Sequence, residues 1–211
     1  MEPPFHFSLF TVYALPVFIE LTDHLRCPAD HPEQYLVLLP DRVIERSVIA
    51  GRLGCPVCGR TYVVTEGIAE LGDALVAPGP DAPLDPTAMH VLLGLTGPGG
   101  YAVLVGSASA AWRGLAEQNP GVALVAVNPP PELPDAAPVL SVVRAPLIPL
   151  KTRSMRGVVL GPEFAADPAW VSDAARVTLP GLRVVGQGPS PPAGELELLA
   201  TAEGWWVAAK R

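Results

Sequence analysis

The chain has 211 residues, of which 49% are hydrophobic and only 17% charged, so it can bury a core and is not broadly disordered. Its net charge of −7 argues against general nucleic-acid binding, which requires a basic face to neutralise phosphates. The length allows one large domain or two small ones, and the 26 prolines and 20 glycines predict many stiff connections. Residues 1–4 lack the basic region of a signal peptide, so we expect a reduced, cytoplasmic protein.

An apolar arm, residues 1–17, opens the chain, and its hydrophobic run extends to Leu21. A membrane span needs about 20 apolar residues, whereas this run contains Pro16 and Glu20, so a strand or irregular arm is favoured over a span. We predict that the arm binds a protein partner by strand addition, with packing on its own domain as the alternative. Contact with a membrane surface is expected only through residues 5–21 or through a partner, which allows a peripheral place in a membrane complex.

The composition changes at residues 77–85, a proline-rich stretch that predicts a stiff linker. It separates a first segment that holds all three cysteines from a second that holds none. In the first segment the sequence predicts a helical turn at Thr22–Arg26, strands at Tyr35–Leu39 and Arg60–Val64, a strand or helix at Val43–Gly54, and a closing apolar tail at Gly67–Leu71.

The second segment alternates helices with wholly apolar strands, which predicts a parallel sheet covered on both faces. Asp85 and Asp167 are expected to cap helices, because each is followed by a proline at the first helical position. The helix after Asp85 is expected to stop at Gly97. Further helices are predicted at Ser109–Gln118, Pro168–Leu179 and Glu195–Gly204. Strands are predicted at Tyr101–Gly106, Val122–Val127, Val139–Val143, Met155–Gly161, Gly181–Gln187 and Trp205–Lys210.

The cysteines predict a metal site. Cys55 and Cys58 form a Cys-x-x-Cys knuckle, and Cys27 lies 28 residues before Cys55 in the sequence Cys-Pro-Ala-Asp-His. Thiolates and neutral imidazole are the ligands that tetrahedral zinc prefers, so we expect zinc on Cys27, His31, Cys55 and Cys58, with Asp30 as the alternative fourth ligand. Two other interpretations stay open, namely a packed turn that has lost its metal and a redox Cys-x-x-Cys.

The stretch from about residue 18 to 71 resembles the small zinc-ribbon-like domain family that activates tRNA and translation-factor methyltransferases. The matching residues are Cys27, Cys55, Cys58, Tyr62, Gly67 and Ile68. Asp30 and Ala69 depart from the family pattern, which has cysteine and proline at these places. The resemblance implies a small zinc-ribbon-like α+β domain at residues 18–76.

Residues 86–211 resemble a class I S-adenosylmethionine-dependent methyltransferase domain, on the segments "YAVLVG", "VALVAVN" and "DAARVTLPGLRVVGQ". The resemblance implies a Rossmann-like, mostly parallel sheet with helices on both faces, so the fold class of the chain is α/β. It places Gly106, Ser107 and Ala108 in the cofactor loop after the first strand of this domain, and Asn128 beside the cofactor ribose after the second.

The cofactor motifs depart from what binding requires. The loop contains one glycine, Asn128 stands where an acid would grip both ribose hydroxyls, and Arg144 and Arg156 replace expected acids. We therefore predict a pseudoenzyme without catalytic residues, an accessory or scaffold subunit that binds a protein partner and does not use S-adenosylmethionine. The alternative is an active methyltransferase of unknown substrate, because the small residues of the loop do not exclude the cofactor sterically.

Overall fold

The computed structural model describes residues 17–75, 84–131, 133, 139–188 and 194–211. The predicted arm, apart from Val17, and the predicted linker, apart from Leu84 and Asp85, lie outside the described residues. No helix among the described residues is long and apolar enough to cross a membrane.

The described chain forms twelve strands, five α-helices and one 3-10 helix. The strands are β1 (Val17–Phe18), β2 (Val37–Ile44), β3 (Ser47–Gly54), β4 (Thr61–Thr65), β5 (Ile68–Glu70), β6 (Tyr101–Val105), β7 (Ala123–Val127), β8 (Leu140–Arg144), β9 (Met155–Leu160), β10 (Thr178–Gln187), β11 (Leu196–Ala202) and β12 (Trp205–Lys210). The helices are α1 (Ile19–Thr22), α2 (Pro86–Leu93), the 3-10 helix η1 (Gly106–Ala111), α3 (Trp112–Gln118), α4 (Pro162–Ala165) and α5 (Pro168–Val177).

All described strands belong to one sheet, in the order β1-β3-β4-β5-β8-β7-β6-β9-β10-β12-β11, with β2 paired to β3. The six strands from β5 to β10 in this order run parallel, and both flanks are antiparallel. The chain therefore has a mixed α/β fold with a large, mostly parallel sheet, as the sequence predicted. The connections reverse direction between β6 and β9, and in such sheets this switch point is where ligands bind, beyond the carboxyl ends of the strands.

Side chains alternate between the two faces of the central strands, and each face has its own core. Val103 and Val105 face a core shared with α1, α4 and α5, whereas Ala102 and Leu104 face a core shared with α2 and α3. These four side chains are fully buried. Strands buried on both faces must be apolar throughout, which explains why their pattern is continuous rather than alternating.

The predicted helix starts are confirmed. The carboxylate of Asp85 accepts a hydrogen bond of 2.8 Å from the Thr87 amide, and that of Asp167 accepts one of 2.8 Å from the Ala169 amide. Helix α2 ends at Gly94, earlier than predicted, because this glycine adopts a left-handed conformation with φ of 60°.

The predicted helix at Glu195–Gly204 is wrong, because this segment forms strand β11. Strand β11 pairs with β12 around the two-residue turn Glu203–Gly204, in which both residues have positive φ. The ambiguous segment Val43–Gly54 is also extended, since it supplies the end of β2 and the whole of β3.

The first and second segments meet within the sheet and within one core. Ala69 of β5 pairs with Val143 of β8 in a parallel ladder, so the antiparallel strands before it extend the parallel sheet. Leu21 and Leu25 are fully buried in the same cluster as Val103. The predicted division of the chain into two domains stays a prediction.

Candidate metal centre and nucleotide loop

Two loops bring the four predicted metal ligands together. The amide of Cys27 donates to the Gln34 carbonyl at 2.8 Å, which closes a loop that returns His31 toward Cys27. Cys55 and Cys58 lie in the turn between β3 and β4, where the Gly59 amide donates to the Cys55 carbonyl at 3.0 Å. Gly59 has φ of 71°, a conformation that favours glycine and tightens this turn.

The ligand atoms of Cys27, His31, Cys55 and Cys58 all lie within 4.8 Å of one another. The Sγ atoms of Cys27 and Cys58 are 3.8 Å apart, and Cys55 Sγ lies 3.4 Å from His31 Nε2. A tetrahedral zinc ion with Zn–S bonds of about 2.3 Å separates two sulfurs by about 3.8 Å, so the spacing fits zinc. Asp30, the alternative ligand, is exposed and is not part of this group.

The surroundings favour the thiolate that a metal requires at Cys55, whereas at His31 they favour the imidazolium, which must lose its proton before it can bind a metal. Burial raises the pKa of Cys55, but hydrogen bonds from the Cys58 and Val57 amides outweigh it and lower the pKa to about 6. The hydrogen bond of 2.7 Å between His31 Nδ1 and the Pro32 carbonyl raises the pKa of His31. In the neutral imidazole this bond places the proton on Nδ1, which leaves the Nε2 lone pair facing the thiols. The three cysteines are free thiols.

The predicted cofactor loop, residues 106–108, lies at the carboxyl end of β6, next to the switch point, and is called the nucleotide loop. Gly106, Ser107 and Ala108 begin η1, are all buried, and Gly106 has φ of 64°. The carboxylate of Glu163, at the start of α4, accepts hydrogen bonds from the Ser107 amide at 2.5 Å and from the Ser107 hydroxyl at 2.8 Å. The loop donors of Ser107 are therefore used by a side chain of the same molecule.

Helix α4 packs directly against the loop. A Cβ atom added at Gly106 would overlap the Glu163 carboxylate and lie 2.6 Å from the Phe164 ring. Phe164 in turn packs against Trp170, with ring centroids 4.3 Å apart. Gly106 thus serves close packing of α4 on the loop rather than leaving space for a ligand.

Asn128 lies at the carboxyl end of β7 and is 1% exposed. Its Nδ2 donates to the Ala145 carbonyl at 2.7 Å, and its Oδ1 accepts from the Ala145 amide at 2.9 Å. The side chain thereby joins the ends of β7 and β8 as a backbone pair would. Since both polar atoms are engaged and Glu163 occupies the neighbouring loop, the residues at this edge do not fit a nucleotide cofactor.

Sequence reasoning missed Glu163 and Tyr62. Glu163 belongs to the sequence Gly-Pro-Glu after a buried strand, and this sequence predicts the start of a helix. It does not indicate that Glu163 contacts Ser107, 56 residues earlier. Tyr62 matches the zinc-ribbon-like family, but the sequence does not indicate that its hydroxyl oxygen lies 3.4 Å from Cys27 Sγ. Both contacts depend on strand order, which a single sequence does not specify.

No protein-family profile matches the sequence, and no curated protein matches it. Solved structures that resemble the fold include the complex of the Haloferax volcanii Trm112 methyltransferase activator with a candidate methyltransferase. The matching chain of this complex is 23% identical over 48% of this chain and 50% of its own, with a TM-score of 0.37. A SAM-dependent methyltransferase from Aquifex aeolicus is 16% identical over 60% of this chain and 88% of its own, with a TM-score of 0.43. The antibiotic-resistance methyltransferase Kmr is 11% identical over 64% of this chain and 98% of its own, with a TM-score of 0.41.

The chain spans about half or less of the length of three methyltransferase-related chains of known structure, covering 50%, 44% and 43% of them. These similar structures are methyltransferases or a complex of one with its activator. At these TM-scores the similarity supports no functional argument.

Proposed function

We propose that this protein is a non-catalytic accessory or scaffold subunit, built from a zinc-stabilised ribbon and a methyltransferase-like sheet. The observation that carries the proposal is the Glu163 carboxylate bound to the Ser107 amide and hydroxyl. A cofactor would have to displace this carboxylate and then find Asn128 already bonded at both polar atoms. Because the closed loop leaves the cofactor no free donors at Ser107, we propose that the protein acts by binding another protein.

In this proposal zinc is held by Cys27, His31, Cys55 and Cys58 and acts as a structural ion. Four protein ligands leave no open position for a substrate, which is the arrangement of structural rather than catalytic zinc. The protein's own contribution is to hold the two loops at the right separation, through the closing hydrogen bonds of the Cys27 loop and the Cys55 turn. Metal binding then adds to folding stability, because the unfolded chain has no preformed site.

The partner-binding part of the proposal concerns residues 1–17. Their sequence is rich in aromatic and aliphatic residues, with Phe5, Phe7, Leu9 and Phe10 close together. Proteins seldom leave a large contiguous group of apolar side chains in contact with water, and where they do, it commonly marks an interaction site. The partner is a protein that accepts an added apolar strand.

The second candidate, an active methyltransferase, is favoured by one observation. Counted from β6, the order β8-β7-β6-β9-β10 is the 3-2-1-4-5 order of nucleotide-binding doubly wound sheets, and the switch point is retained. In that case Glu163 would have to leave Ser107 when the cofactor binds.

Titration with S-adenosylmethionine, followed by calorimetry and by thermal unfolding, separates the two candidates. A ligand at 100 times its Kd would add about 2.7 kcal/mol to the free energy of unfolding. We expect no heat of binding and no shift in Tm at millimolar cofactor. A saturable signal that Glu163→Ala strengthens would instead support the enzyme.

Elemental analysis of protein purified without chelator tests the metal. We expect one zinc per chain, and loss of it in Cys58→Ser and in His31→Ala. Asp30→Ala is the matched control, because this exposed side chain is not part of the cluster and should keep full occupancy. Absence of zinc from the parent protein would contradict the structural-zinc proposal.

Deletion of residues 2–15 tests the partner proposal. Full-length and truncated proteins are compared for their melting curves and for the proteins that they recover by affinity purification. We expect equal melting curves but loss of one specific partner from the truncated protein. Loss of the folded state, with no specific partner of the full-length chain, would show that the arm only completes its own core.

A further inference from the structure

Tyr62 connects the ribbon strands to the first metal-ligand loop. It lies in β4 opposite Leu53 of β3, and its half-buried ring packs against the shared core. Its hydroxyl oxygen is 3.4 Å from Sγ of Cys27, a sulfur in a residue that is only 4% exposed.

The surroundings explain why a hydroxyl rather than a bare ring is significant here. Leu25, Leu36 and Leu53 are buried in the same cluster as Cys27, and Tyr62 packs against this apolar cluster. A hydroxyl that is shielded from water needs hydrogen-bond partners, and Cys27 Sγ is one that this geometry supplies. Arg60 interacts with the same hydroxyl from two residues before it.

The charge at the cluster determines the direction of this hydrogen bond. Three thiolates and one neutral imidazole around a divalent zinc ion leave a net charge of −1, most of it on sulfur. A phenol hydroxyl has one proton that it can donate, whereas a thiolate can only accept, so the Tyr62 hydroxyl is the donor. Groups that hydrogen bond to metal ligands orient them, and removing such a group commonly lowers metal affinity by about 10- to 100-fold.

We infer that Tyr62 is a positioning residue of the metal centre. Its hydroxyl donates a hydrogen bond to the Cys27 thiolate, which fixes the sulfur and draws charge away from it. This inference rests on the proposed zinc site. It adds a contact between β4 and the Cys27 loop that the four ligands alone do not provide.

The test compares full-length Tyr62→Phe, which keeps the ring, with Tyr101→Phe, which removes the hydroxyl of a half-buried β6 tyrosine whose ring contacts the His24 ring. Zinc affinity is measured by competition with a chromophoric chelator, and the metal-free proteins are checked by urea unfolding. We expect Tyr62→Phe to bind zinc at least about 10-fold more weakly, with Tyr101→Phe unchanged.

Cobalt substitution supplies a readout that a purely packing role would not change. Loss of a hydrogen bond to sulfur raises the energy of its lone pairs, so the sulfur-to-cobalt charge-transfer band should move to longer wavelength in Tyr62→Phe alone. If the parent protein binds zinc while Tyr62→Phe keeps its affinity within twofold and its cobalt spectrum, the role of Tyr62 is overturned and the zinc site stands. If the parent protein binds no zinc, the proposed metal site fails as well.

Discussion

At the residue scale, the buried polar side chains near the switch point form hydrogen bonds with other groups of the same chain. Asn128 shows this most clearly, because it has φ of 51° and satisfies both polar groups of Ala145. Asparagine tolerates the left-handed region better than most residues, so the type of residue fits the backbone as well as the hydrogen bonds. An acid at this position would suit a ribose but not this pair of bonds.

Asn128→Asp should therefore destabilise the protein rather than tighten cofactor binding. The carboxylate cannot donate to the Ala145 carbonyl and would face it in a buried site, so we expect the free energy of unfolding to fall by about 2–3 kcal/mol. Urea denaturation measures the loss. Gln118→Glu is the matched amide-to-acid control, because its bond to Thr87 is at the surface, and it should change stability by less than about 0.5 kcal/mol. Unchanged stability of Asn128→Asp with new cofactor binding would contradict this account.

At the scale of elements, the last hairpin depends on its turn. Ala202 of β11 pairs with Trp205 of β12, so the loop has two residues, Glu203 and Gly204, with φ of 50° and 79°. Two positive φ values in a row are typical of the hairpin turn that matches the twist of the strands, and Asn-Gly is its preferred sequence.

Two substitutions in this turn should have opposite effects. Gly204→Ala should lower the free energy of unfolding by about 1 kcal/mol, whereas Glu203→Asn should raise it by a few tenths of a kcal/mol. Gly194→Ala is the control, because a Cβ there meets nothing within 4 Å and its φ lies outside the left-handed region. Equal effects of the two glycine substitutions on urea denaturation would show that the turn conformation does not determine the pairing.

The sequence predicted the elements that local signals mark and missed those that tertiary pairing decides. Asp85-Pro86 and Asp167-Pro168 are complete helix-start signals, and both helices begin there. The segment Glu195–Gly204 has good helix formers, yet it is extended because β12 offers it a backbone partner. The proximity of Cys27, His31, Cys55 and Cys58 was predictable from spacing, although metal binding by them stays a prediction. The closure of the nucleotide loop was not predictable, since it requires Glu163 and Ser107 to meet across neighbouring strands.

At the scale of the whole molecule, a polar network ties the first segment to the sheet. Asp173 of α5 accepts from Arg176 at 2.6 Å, from Arg26 at 3.4 Å and from the Ile148 amide at 2.8 Å. Glu33, from the loop of the predicted zinc ligands, accepts from the amide of Thr152 at 3.0 Å and from its hydroxyl. These groups come from three separate stretches of chain, at residues 26–33, 148–152 and 173–176, so their geometry depends on the assembled fold.

The Glu33 carboxylate should make stability depend on pH. Burial raises its pKa, but the Thr152 hydrogen bonds and the charges of Arg176 and Arg26 outweigh it, so the pKa is lowered in the folded state. A lowered pKa gives stability that is present above the unfolded value near 4.3 and is lost as pH falls through the folded value. Because solvent screens this partly exposed carboxylate, Glu33→Gln should cost no more than about 1 kcal/mol of unfolding free energy at pH 7. The difference in unfolding free energy from the parent should narrow as the pH falls below the unfolded pKa. The exposed Glu117→Gln should show no such difference, and a constant offset for Glu33→Gln at all pH values would contradict the electrostatic explanation.

The shared core predicts that both segments unfold together. Natural probes are separated along the chain, since the cysteines lie at positions 27, 55 and 58, and the four tryptophans at positions 112, 170, 205 and 206. Cys27 and Cys55 are buried, so their reaction with a thiol reagent reports opening of the ribbon, while tryptophan fluorescence reports opening of the sheet. Because β5 pairs with β8 and Leu21 and Leu25 fill the same core as Val103, neither part can open without exposing the other.

We therefore expect one urea midpoint for both probes in protein saturated with zinc, with pulse labelling of Cys27 and Cys55 read by mass spectrometry. Asp173→Ala is the informative variant, because it removes the carboxylate that bonds Arg26, Arg176 and the Ile148 amide while leaving the β5–β8 ladder intact. The urea midpoint of Asp173→Ala should fall, corresponding to a loss of about 3 kcal/mol or more in the free energy of unfolding, because two guanidinium groups and a buried amide lose their acceptor. The transitions reported by cysteine labelling and by tryptophan fluorescence should still coincide. Labelling of Cys27 at a lower urea concentration than the fluorescence change, in the parent protein, would mean that the ribbon is a separate folding unit and that the single sheet does not make the chain cooperative.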